Sequence, residues 1–184
     1  MADKKAIRAR MKELEKEFLA SGRAEEETAL IWKSVASDDA FIKAGTVLIY
    51  MDIRGEVPTG SFMEQWKGSK RFAIPRVNGE RLDLCIYDPS RLREGYRQIP
   101  EPSDDAECID PSEVDFALIP GVAFTREGAR LGRGKGFYDR LLPCLNCPCS
   151  GIGYSFRWID GIPCDPWDFP LNHLIWPWNC QGNQ

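Results

Sequence analysis

The chain has 184 residues, of which 43% are hydrophobic and 28% charged, and this balance is typical of a folded protein rather than a disordered one. A net charge of −4 argues against a basic surface that binds nucleic acid. The apolar runs are far too short to cross a bilayer, and the charged N-terminal stretch lacks the apolar core of a secretory signal. We therefore expect a cytoplasmic protein without membrane or nucleic-acid partners, with one domain over residues 1–184 and a frayed tail at 179–184.

The first half of the chain predicts two helices, a strand and a short helix, in that order. Four apolar residues at helical spacing form the buried stripe of the first helix, which ends at Ser21-Gly22; they are Ile7, Met11, Leu14 and Phe18. A second helix is predicted over about residues 24–37, whose first turn is acidic. Residues 46–51 (TVLIYM) predict a buried strand, and residues 58–66 predict a short helix.

The second half predicts a hairpin followed by more strands and one helix. Strands at 72–77 and 82–87 flank Asn78-Gly79, the strongest short signal for a hairpin. Residues 88–113 are polar and rich in Pro and Asp, which predicts a long surface connection. Further strands are predicted at 114–119, 150–154 and 174–176, and a helix at 137–142. This alternation predicts an α/β fold, a single three-layer domain whose mixed, partly parallel sheet is flanked by helices.

The cysteines leave one metal-binding alternative open. There are seven, an odd number in a chain that is not a small secreted scaffold, so reduced thiols are expected. Three of them form a Cys-x-x-Cys-x-Cys cluster: Cys144, Cys147 and Cys149. A zinc site would need a fourth ligand, for which Cys164, Cys180 and His173 are candidates. Because no second Cys-x-x-Cys pair is present, a loop with incidental thiols is the favoured interpretation.

Residues 128–139 (GARLGRGKGFYD) carry the most specific chemical signal in the chain. Their glycines allow backbone N–H groups to approach an anion closely, and the helix that follows adds the positive end of its dipole. Arg130, Arg133 and Lys135 supply positive charge. The segment therefore predicts a phosphate-binding loop; the alternative is a basic turn whose glycines only permit tight packing.

This loop matches neither of two familiar nucleotide-binding motifs. A Walker A loop would need glycine in place of Ala129 and a hydroxyl residue in place of Gly136. A dinucleotide fingerprint that begins at Gly134 would need glycine in place of Asp139. The prediction is a phosphate loop of neither standard type.

Three further features could belong to the same site. Asp139 could approach magnesium near phosphates, or it could be an aspartate that suits a helix start. Lys4 and Arg8 are one helical turn apart and could reach a polyphosphate, although a solvated basic face is the commoner outcome. Glu56 follows a buried strand and could hold an amino-heterocycle, or it could be a turn acid in water.

The loop, with residues 120–124 (PGVAF) before it, closely resembles the signature of the 5-formyltetrahydrofolate cyclo-ligases. Four other segments resemble parts of that family in the same chain order, and the resemblance covers nearly the whole chain. They are the basic residues 4–8 (KKAIR), the turn at 50–59, Pro75-Arg76, and the closing segment at 163–175.

The resemblance implies a three-layer α/β fold and an enzyme that uses ATP and Mg²⁺. It implies ATP binding by Lys4, Arg8, Arg130, Gly132, Arg133, Gly134, Lys135, Gly136, Phe137, Tyr138 and Asp139. It implies reduced-folate binding by Glu56, Arg76 and Tyr138, and catalytic roles for Arg133, Lys135 and Tyr138. Asp139 would help to hold Mg²⁺.

The implied reaction closes 5-formyltetrahydrofolate to 5,10-methenyltetrahydrofolate and releases ADP and phosphate. Transfer of the γ-phosphoryl group makes the formyl oxygen a good leaving group, and N10 of the same folate then attacks the formyl carbon. A monomeric enzyme is expected, which contributes mainly positioning and charge neutralisation.

One departure from the family pattern supports a second hypothesis. The chain has Asn172-His173 where the family usually has Asp-Glu, and this removes two carboxylates near a possible metal site. The alternative is therefore a non-catalytic homologue that binds nucleotide or folate without turnover. A further alternative is a zinc-stabilised interaction module built on the cysteine cluster.

Overall fold

The structure, a computed structural model, describes residues 3–95 and 98–177, so the predicted tail lies outside the described residues. The helices are α1 Lys4–Ala20, α2 Ala24–Ala36, α3 Asp39–Lys43, α4 Gly60–Trp66 and α5 Phe137–Leu141. The strands are β1 Thr46–Leu48, β2 Arg71–Asn78, β3 Arg81–Ile86, β4 Leu92–Glu94, β5 Pro100–Pro102, β6 Cys108–Ile109, β7 Phe116–Pro120, β8 Ala123–Phe124, β9 Arg130–Leu131, β10 Cys149–Ile152 and β11 His173–Ile175. Short 3₁₀ turns follow α5 and β10.

Seven strands form one mixed sheet, in the order β11-β10-β7-β1-β2-β3-β6. The strands from β11 to β2 run parallel, whereas β3 pairs antiparallel with β2 and β6 pairs antiparallel with β3. The predicted α/β architecture with a partly parallel sheet is thus confirmed. The carboxyl ends of the parallel strands meet at one edge, which is where ligands bind in open sheets of this kind.

Apolar clusters cover both faces of the sheet and produce three layers. One face packs against α2, α3 and α4, where Phe41 meets Phe116 edge to face. The other face packs against α5 and the turn after it, through Leu141 and Leu142. A smaller cluster joins α1 to the β8–β9 hairpin through Met11. Among the described residues, no helix is both long enough and apolar enough to span a membrane.

The predicted hairpin is present, with its turn one residue later than the Asn-Gly signal suggests. Asn78 pairs with Arg81 in the ladder, so the connecting residues are Gly79 and Glu80. Gly79 has a φ of 59°, the left-handed conformation that a two-residue hairpin turn requires at its first position.

Two parts of the predicted element pattern are wrong. The connection at 88–113 contains β4, β5 and β6, and a five-residue helix, α3, lies between α2 and β1. Elements of two to five residues are too short to show a hydrophobic period, so they leave no pattern in the sequence. They are fixed instead by caps and by their partners, as when the Asp38 carboxylate accepts hydrogen bonds from the first N–H groups of α3.

The expectation that all thiols are reduced is also wrong for one pair. Cys85 on β3 and Cys108 on β6 are direct cross-strand neighbours, and a disulfide joins them. Cross-strand pairing brings their side chains within bonding reach, which a separation of 23 residues in sequence does not reveal.

Candidate active site

A cleft opens at the carboxyl edge of the parallel strands, between the turn after β1 and the glycine-rich loop that joins β9 to α5. Nine of the predicted site residues line this cleft: Glu56, Arg130, Gly132, Arg133, Lys135, Gly136, Phe137, Tyr138 and Asp139. Lys4, Arg8, Arg76 and Gly134 lie outside the lining. The fold therefore brings the predicted ATP-side and folate-side residues to one place, although they are far apart in sequence.

The glycine-rich loop begins where the β8–β9 hairpin returns the chain to the cleft. Gly134 and Gly136 have φ values of 97° and 66°, a left-handed conformation that residues with a side chain rarely adopt. Arg8 Nε donates a hydrogen bond to the Gly132 carbonyl at 2.9 Å and so ties the loop to α1. Arg133 and Lys135 are exposed. The loop thus combines a glycine-dependent backbone shape with two cations that reach solvent.

Arg130 lies behind this loop as a buried cation. Its side chain is 3% exposed, and its Nη2 donates to Asp139 Oδ1 at 2.8 Å. The buried Nε of Arg130 has no hydrogen-bond partner among the described residues. Its guanidinium also lies over the ring of Tyr138, 5.3 Å from the centroid. A buried cation beside the cleft suits an anionic ligand through its charge.

The basic face of α1 packs against an acidic segment instead of facing solvent. Lys4 Nζ lies 2.7 Å from Asp165 Oδ2 and 2.5 Å from Asp168 Oδ2. Burial lowers the pKa of Lys4, but the two carboxylates together raise it by more, so the net pKa is above the ordinary value. Lys4 and Arg8 therefore attach α1 to two different segments that border the site.

The turn after β1 is fixed by its own side chains. The Tyr50 hydroxyl donates to the Val57 carbonyl at 3.0 Å. Asp52 Oδ1 accepts hydrogen bonds from the Thr59 backbone N–H at 2.9 Å and from the Thr59 hydroxyl at 2.8 Å. These bonds close the turn around Glu56 and limit the directions in which its carboxylate can point.

The Glu56 carboxylate connects the two sides of the cleft. Its side chain is 9% exposed, and its Oε2 accepts a hydrogen bond from the Ile53 N–H at 3.2 Å. Its Oε1 accepts from Arg133 Nη2 at 2.9 Å, across 77 positions of sequence. The predicted folate-side acid and a predicted ATP-side cation are thus paired with each other.

Two tyrosines beside Glu56 remain protonated at neutral pH. Burial raises the pKa of Tyr138 well above its ordinary value, the Glu56 carboxylate raises it further, and Arg130 opposes the shift. Burial also raises the pKa of Tyr50, with smaller contributions from Glu56 and Asp52. Both phenols can therefore donate hydrogen bonds, and neither is poised to act as a base.

The structure does not bring Arg76 to the cleft. Its Nη1 donates to the Ser103 carbonyl at 2.8 Å, and its Nη2 donates to Asp83 Oδ2 at 3.2 Å. Its neighbours Pro75 and Val77 line the cleft, and successive residues of a strand point to opposite faces. The predicted contact between Arg76 and the substrate has no support in this position.

Two acidic residues near the site are absent from the predicted site residues, although Asp168 lies in the closing segment at 163–175 that resembles the family. Glu101 on β5 is 7% exposed, lines the cleft, and accepts a hydrogen bond from the Val77 N–H at 3.4 Å. No local signal reveals it, because its place depends on how β5 packs. Burial raises the pKa of Asp168, but Lys4, the Asp165 N–H and the charge of Arg130 lower it to a net value below normal. Its signal is the pair of aspartates three positions apart in a proline-rich segment.

The departure at Asn172-His173 lies away from the cleft. Asn172 Oδ1 accepts a hydrogen bond from the Cys149 N–H at 3.0 Å, at the amino end of β10. His173 Nδ1 lies 2.9 Å from Ser150 Oγ and 3.3 Å from Asp38 Oδ2. The cleft is at the opposite, carboxyl end of these strands, so the departure removes no charge from the glycine-rich loop.

The cysteine cluster gives the zinc interpretation no support. Cys144 is exposed, and Cys149 is buried at the start of β10. Within residues 3–95 and 98–177, no group of three or more His, Cys, Asp or Glu side chains is arranged to hold a metal ion. Cys180, one of the candidate fourth ligands, lies outside the described residues.

A layered α/β sheet with a basic, glycine-rich loop at its carboxyl edge is typical of proteins that bind phosphorylated ligands, and the chain has the architecture of that class. A family model extends this to a particular family, because the model of the 5-formyltetrahydrofolate cyclo-ligase family matches residues 1–177. The chain belongs to that family, and the resemblance noted in its sequence is confirmed.

Relatives and solved structures agree with this assignment. The 5-formyltetrahydrofolate cyclo-ligase of Escherichia coli K12 is 32% identical over 145 residues, which cover 74% of this chain and 80% of the relative. A probable 5-formyltetrahydrofolate cyclo-ligase of Caenorhabditis elegans is 28% identical and covers 94% of this chain and 93% of its own. The NMR structure of Aquifex aeolicus 5,10-methenyltetrahydrofolate synthetase has a TM-score of 0.75 at 34% identity, over 90% of this chain and 88% of that one. The Mycoplasma pneumoniae 5,10-methenyltetrahydrofolate synthetase also has a TM-score of 0.75, at 28% identity, over 96% and 99% of the two chains.

Proposed function

We propose that the chain catalyses the ATP-dependent closure of 5-formyltetrahydrofolate to 5,10-methenyltetrahydrofolate, with release of ADP and phosphate. The observation that carries the proposal is the shared cleft, in which the glycine-rich loop and Glu56 meet through the Arg133–Glu56 ion pair. A reaction that joins ATP chemistry to a folate needs both ligands within bonding distance, and one cleft provides that.

The phosphates of ATP would lie against the glycine-rich loop. Arg133 and Lys135 would contact them directly, since both line the cleft and are exposed. Arg130 would add a buried positive charge beside the loop. Lys4 and Arg8 would support the loop from α1, where Arg8 already holds the Gly132 carbonyl. This set neutralises the negative charge of the transferring phosphoryl group, which is most of what phosphoryl transfer requires.

Magnesium would be held at Asp139. Its carboxylate lines the cleft beside the loop, and Mg²⁺ in phosphate sites usually takes one or two protein carboxylates, with phosphate oxygens and water completing the shell. Arg130 occupies Oδ1 of Asp139, so the remaining carboxylate oxygen fits a single-carboxylate site. When bound, Mg²⁺ would neutralise phosphate charge and fix its orientation.

The folate would bind on the Glu56 side of the cleft. An ionised carboxylate there can accept two hydrogen bonds from an amino-pyrimidinone edge, and Tyr138 can donate one from its protonated hydroxyl. Val77 and Leu82 line the same cleft and would provide apolar contacts for the faces of the folate rings. ATP then supplies the phosphoryl group that turns the formyl oxygen into a leaving group, and N10 closes the ring without a protein nucleophile.

We also propose that the chain works as a cytoplasmic monomer of one domain, without nucleic-acid or membrane partners. The net charge of −4 supports this, because no basic excess draws the protein to nucleic acid or to anionic lipid. Size-exclusion chromatography with light scattering tests the monomer, since a mass near 42 kDa instead of 20.9 kDa would show a dimer.

Turnover is the direct test of the proposed reaction. Purified protein is mixed with 5-formyltetrahydrofolate and Mg-ATP, and the methenyl product is followed by its near-ultraviolet absorbance. Growth of the signal that needs ATP and is abolished by a chelator supports the cyclo-ligase and the magnesium requirement. Absence of signal from folded protein that still binds ATP would instead support the non-catalytic homologue.

A pair of lysine variants links that turnover to the loop. Lys135→Ala should lower turnover and weaken ATP binding, because it removes a cation from the phosphate side. Lys67→Ala is the matched control, since Lys67 is exposed and forms a surface ion pair with Glu64 of α4, away from the cleft. Unchanged turnover and ATP affinity in Lys135→Ala would remove Lys135 from the site.

A further inference from the structure

Arg157 is a buried arginine with contacts on three segments of the chain. It ends the 3₁₀ turn after β10, and its side chain is 2% exposed. Its Nη1 donates to the Val122 carbonyl at 3.0 Å. Its Nη2 donates to the Gly55 carbonyl at 2.6 Å and to Glu15 Oε2 at 2.9 Å. Arg157 does not line the cleft, so it touches neither substrate there.

The three partners of Arg157 all belong to segments that carry site residues. Gly55 directly precedes Glu56, the proposed folate-side acid. Val122 lies between β7 and β8, where the hairpin leading to the glycine-rich loop begins. Glu15 is on α1, the helix whose Arg8 holds the loop at Gly132. A single guanidinium therefore connects the folate-side turn, the approach to the ATP-side loop and the helix that supports that loop.

The contact between α1 and the folate-side turn is very close. Gly55 has a φ of 82°, and a Cβ added there would lie 2.3 Å from the carboxyl carbon of Glu15. This approach lets Arg157 reach both Gly55 and Glu15 with one nitrogen. A side chain at position 55 would displace the Glu15 carboxylate and would strain a backbone with a positive φ.

The charges around Arg157 extend to the site itself. Burial lowers the pKa of Arg157, the carboxylates of Glu15 and Glu56 raise it, and the positive charge of Arg133 lowers it. A buried arginine carries a large desolvation cost, which an apolar side chain would avoid. Bonds to two backbone carbonyls and one carboxylate offset part of that cost, while the buried Nε has no hydrogen-bond partner among the described residues.

We infer that Arg157 is a positioning residue, whose guanidinium sets the distance and orientation between the folate-side turn and the ATP-side loop. The inference rests on the proposed function, since it concerns how the two substrates of that reaction are aligned. A displacement of about 1 Å between reacting groups can cost about 100-fold in rate even when each substrate still binds. Arg157 therefore acts on the chemical step through alignment rather than on either binding step.

Arg157→Lys and Arg157→Gln test this role. Lysine keeps the charge but offers a single nitrogen, which cannot span the carbonyls of Val122 and Gly55 together. We expect kcat to fall by about 10- to 100-fold, while the dissociation constants for ATP alone and folate alone each change by less than about threefold. Steady-state kinetics and single-ligand titrations measure these quantities on the full chain.

Glu27→Gln is the matched control for loss of a buried contact in the same turn. Glu27 accepts hydrogen bonds from the N–H of Ser155 at 2.8 Å and from its hydroxyl at 2.6 Å. Ser155 lies two residues before Arg157, and Glu27 does not line the cleft. We expect this variant to have a lower Tm and an unchanged kcat.

Glu15→Gln gives a milder test that keeps Arg157 in place. It should also lower kcat, because it weakens one of the contacts of the guanidinium.

The outcomes separate this inference from the proposed function. Absence of wild-type turnover overturns both. Wild-type turnover together with folded Arg157 variants of unchanged kcat overturns the positioning role alone, as does a kcat loss in Glu27→Gln equal to theirs. If both Arg157 variants fail to fold, Glu15→Gln decides, and an unchanged kcat in that variant overturns the inference.

Discussion

Lys70 donates three hydrogen bonds that complete the end of a helix elsewhere in the chain. Its ammonium lies 2.8, 2.7 and 2.6 Å from the carbonyl oxygens of Phe41, Ile42 and Ala44. These carbonyls belong to the C-terminal end of α3, which has five residues and so cannot satisfy them with its own N–H groups. Lys70 therefore holds α3 in the layer that covers the sheet.

We expect Lys70→Met to lower the free energy of unfolding by about 1–3 kcal/mol, because charge-assisted bonds to carbonyls are lost. Urea titration measures the change. Lys67→Met is the control, since it removes only an exposed pair with Glu64 and should cost less than about 1 kcal/mol. Equal losses in the two variants would show that the three carbonyl bonds add nothing.

Glu56→Gln keeps the shape of the side chain and removes its charge. We expect folate affinity to fall by about 10- to 100-fold, because a charge-assisted hydrogen bond of about 1.5–3 kcal/mol is lost. ATP binding should be unchanged or tighter, since Arg133 no longer has an anionic partner. Isothermal titration with each ligand measures both effects, and loss of ATP affinity with unchanged folate affinity would mean that the two sides of the cleft are exchanged.

At the scale of elements, α1 is attached to the site by charges that set a pH window. The pKa of Asp168 is lowered, so its pairing with Lys4 contributes stability above the ordinary pKa of 3.8, and the contribution is lost as pH falls below that. The pKa of Lys4 is raised, so its contribution is complete below 10.5 and is lost as pH rises above that. The attachment should thus be intact across the neutral range.

Asp168→Asn should therefore destabilise the protein at pH 7 and destabilise it less at pH 3, because the contribution of the pair is lost progressively as pH falls below 3.8. Urea unfolding of wild type and variant at both values tests this, because the difference between them must shrink as Asp168 is protonated in the wild type. Glu13→Gln is the control on the same helix, where an exposed pair with Lys16 should give no measurable change at either pH. A constant wild-type advantage at both pH values would contradict the charge explanation.

The elements that sequence predicts well are those whose signal is local. The stripe from Ile7 to Phe18 and the Asn78-Gly79 pair produce α1 and the β2–β3 hairpin nearly as expected. α3 and β6 are different, since α3 depends on Lys70 and β6 on its pairing with β3. Short elements of that kind are decided by partners far away in sequence, and propensity alone cannot reveal them.

The same distinction holds for the candidate site. The glycine-rich loop is recognisable because its glycines and cations lie in one continuous stretch. Glu101 reaches the cleft, and Arg157 reaches the turn beside Glu56, through packing of distant segments, so no local pattern marks either residue. Arg76 differs again, because it lies on a strand beside the cleft but bonds to Ser103 and Asp83, which the sequence does not reveal.

At the scale of the whole molecule, the Cys85–Cys108 disulfide closes the segment that carries Glu101. It links β3 to the two-residue edge strand β6, so both ends of this segment are anchored to the main sheet. Closing a loop of this length in the unfolded chain raises the free energy of unfolding by about 3 kcal/mol.

We expect reduction by dithiothreitol to lower the free energy of unfolding by about 3 kcal/mol, as measured in urea with and without reductant. A Cys108→Ser variant should show the same loss and no further response to reductant. Cys144→Ser serves as the control, because Cys144 is a free, exposed thiol. A reductant effect that persists in Cys108→Ser would assign the stabilisation to another source.

The Arg133–Glu56 pair would couple the binding of one substrate to the binding of the other. If each substrate displaces this ion pair when it binds, as the proposed site implies, the first to bind frees a residue that the other uses. We then expect each substrate to raise the affinity for the other by an equal factor. ATP would bind more tightly when the folate is already present.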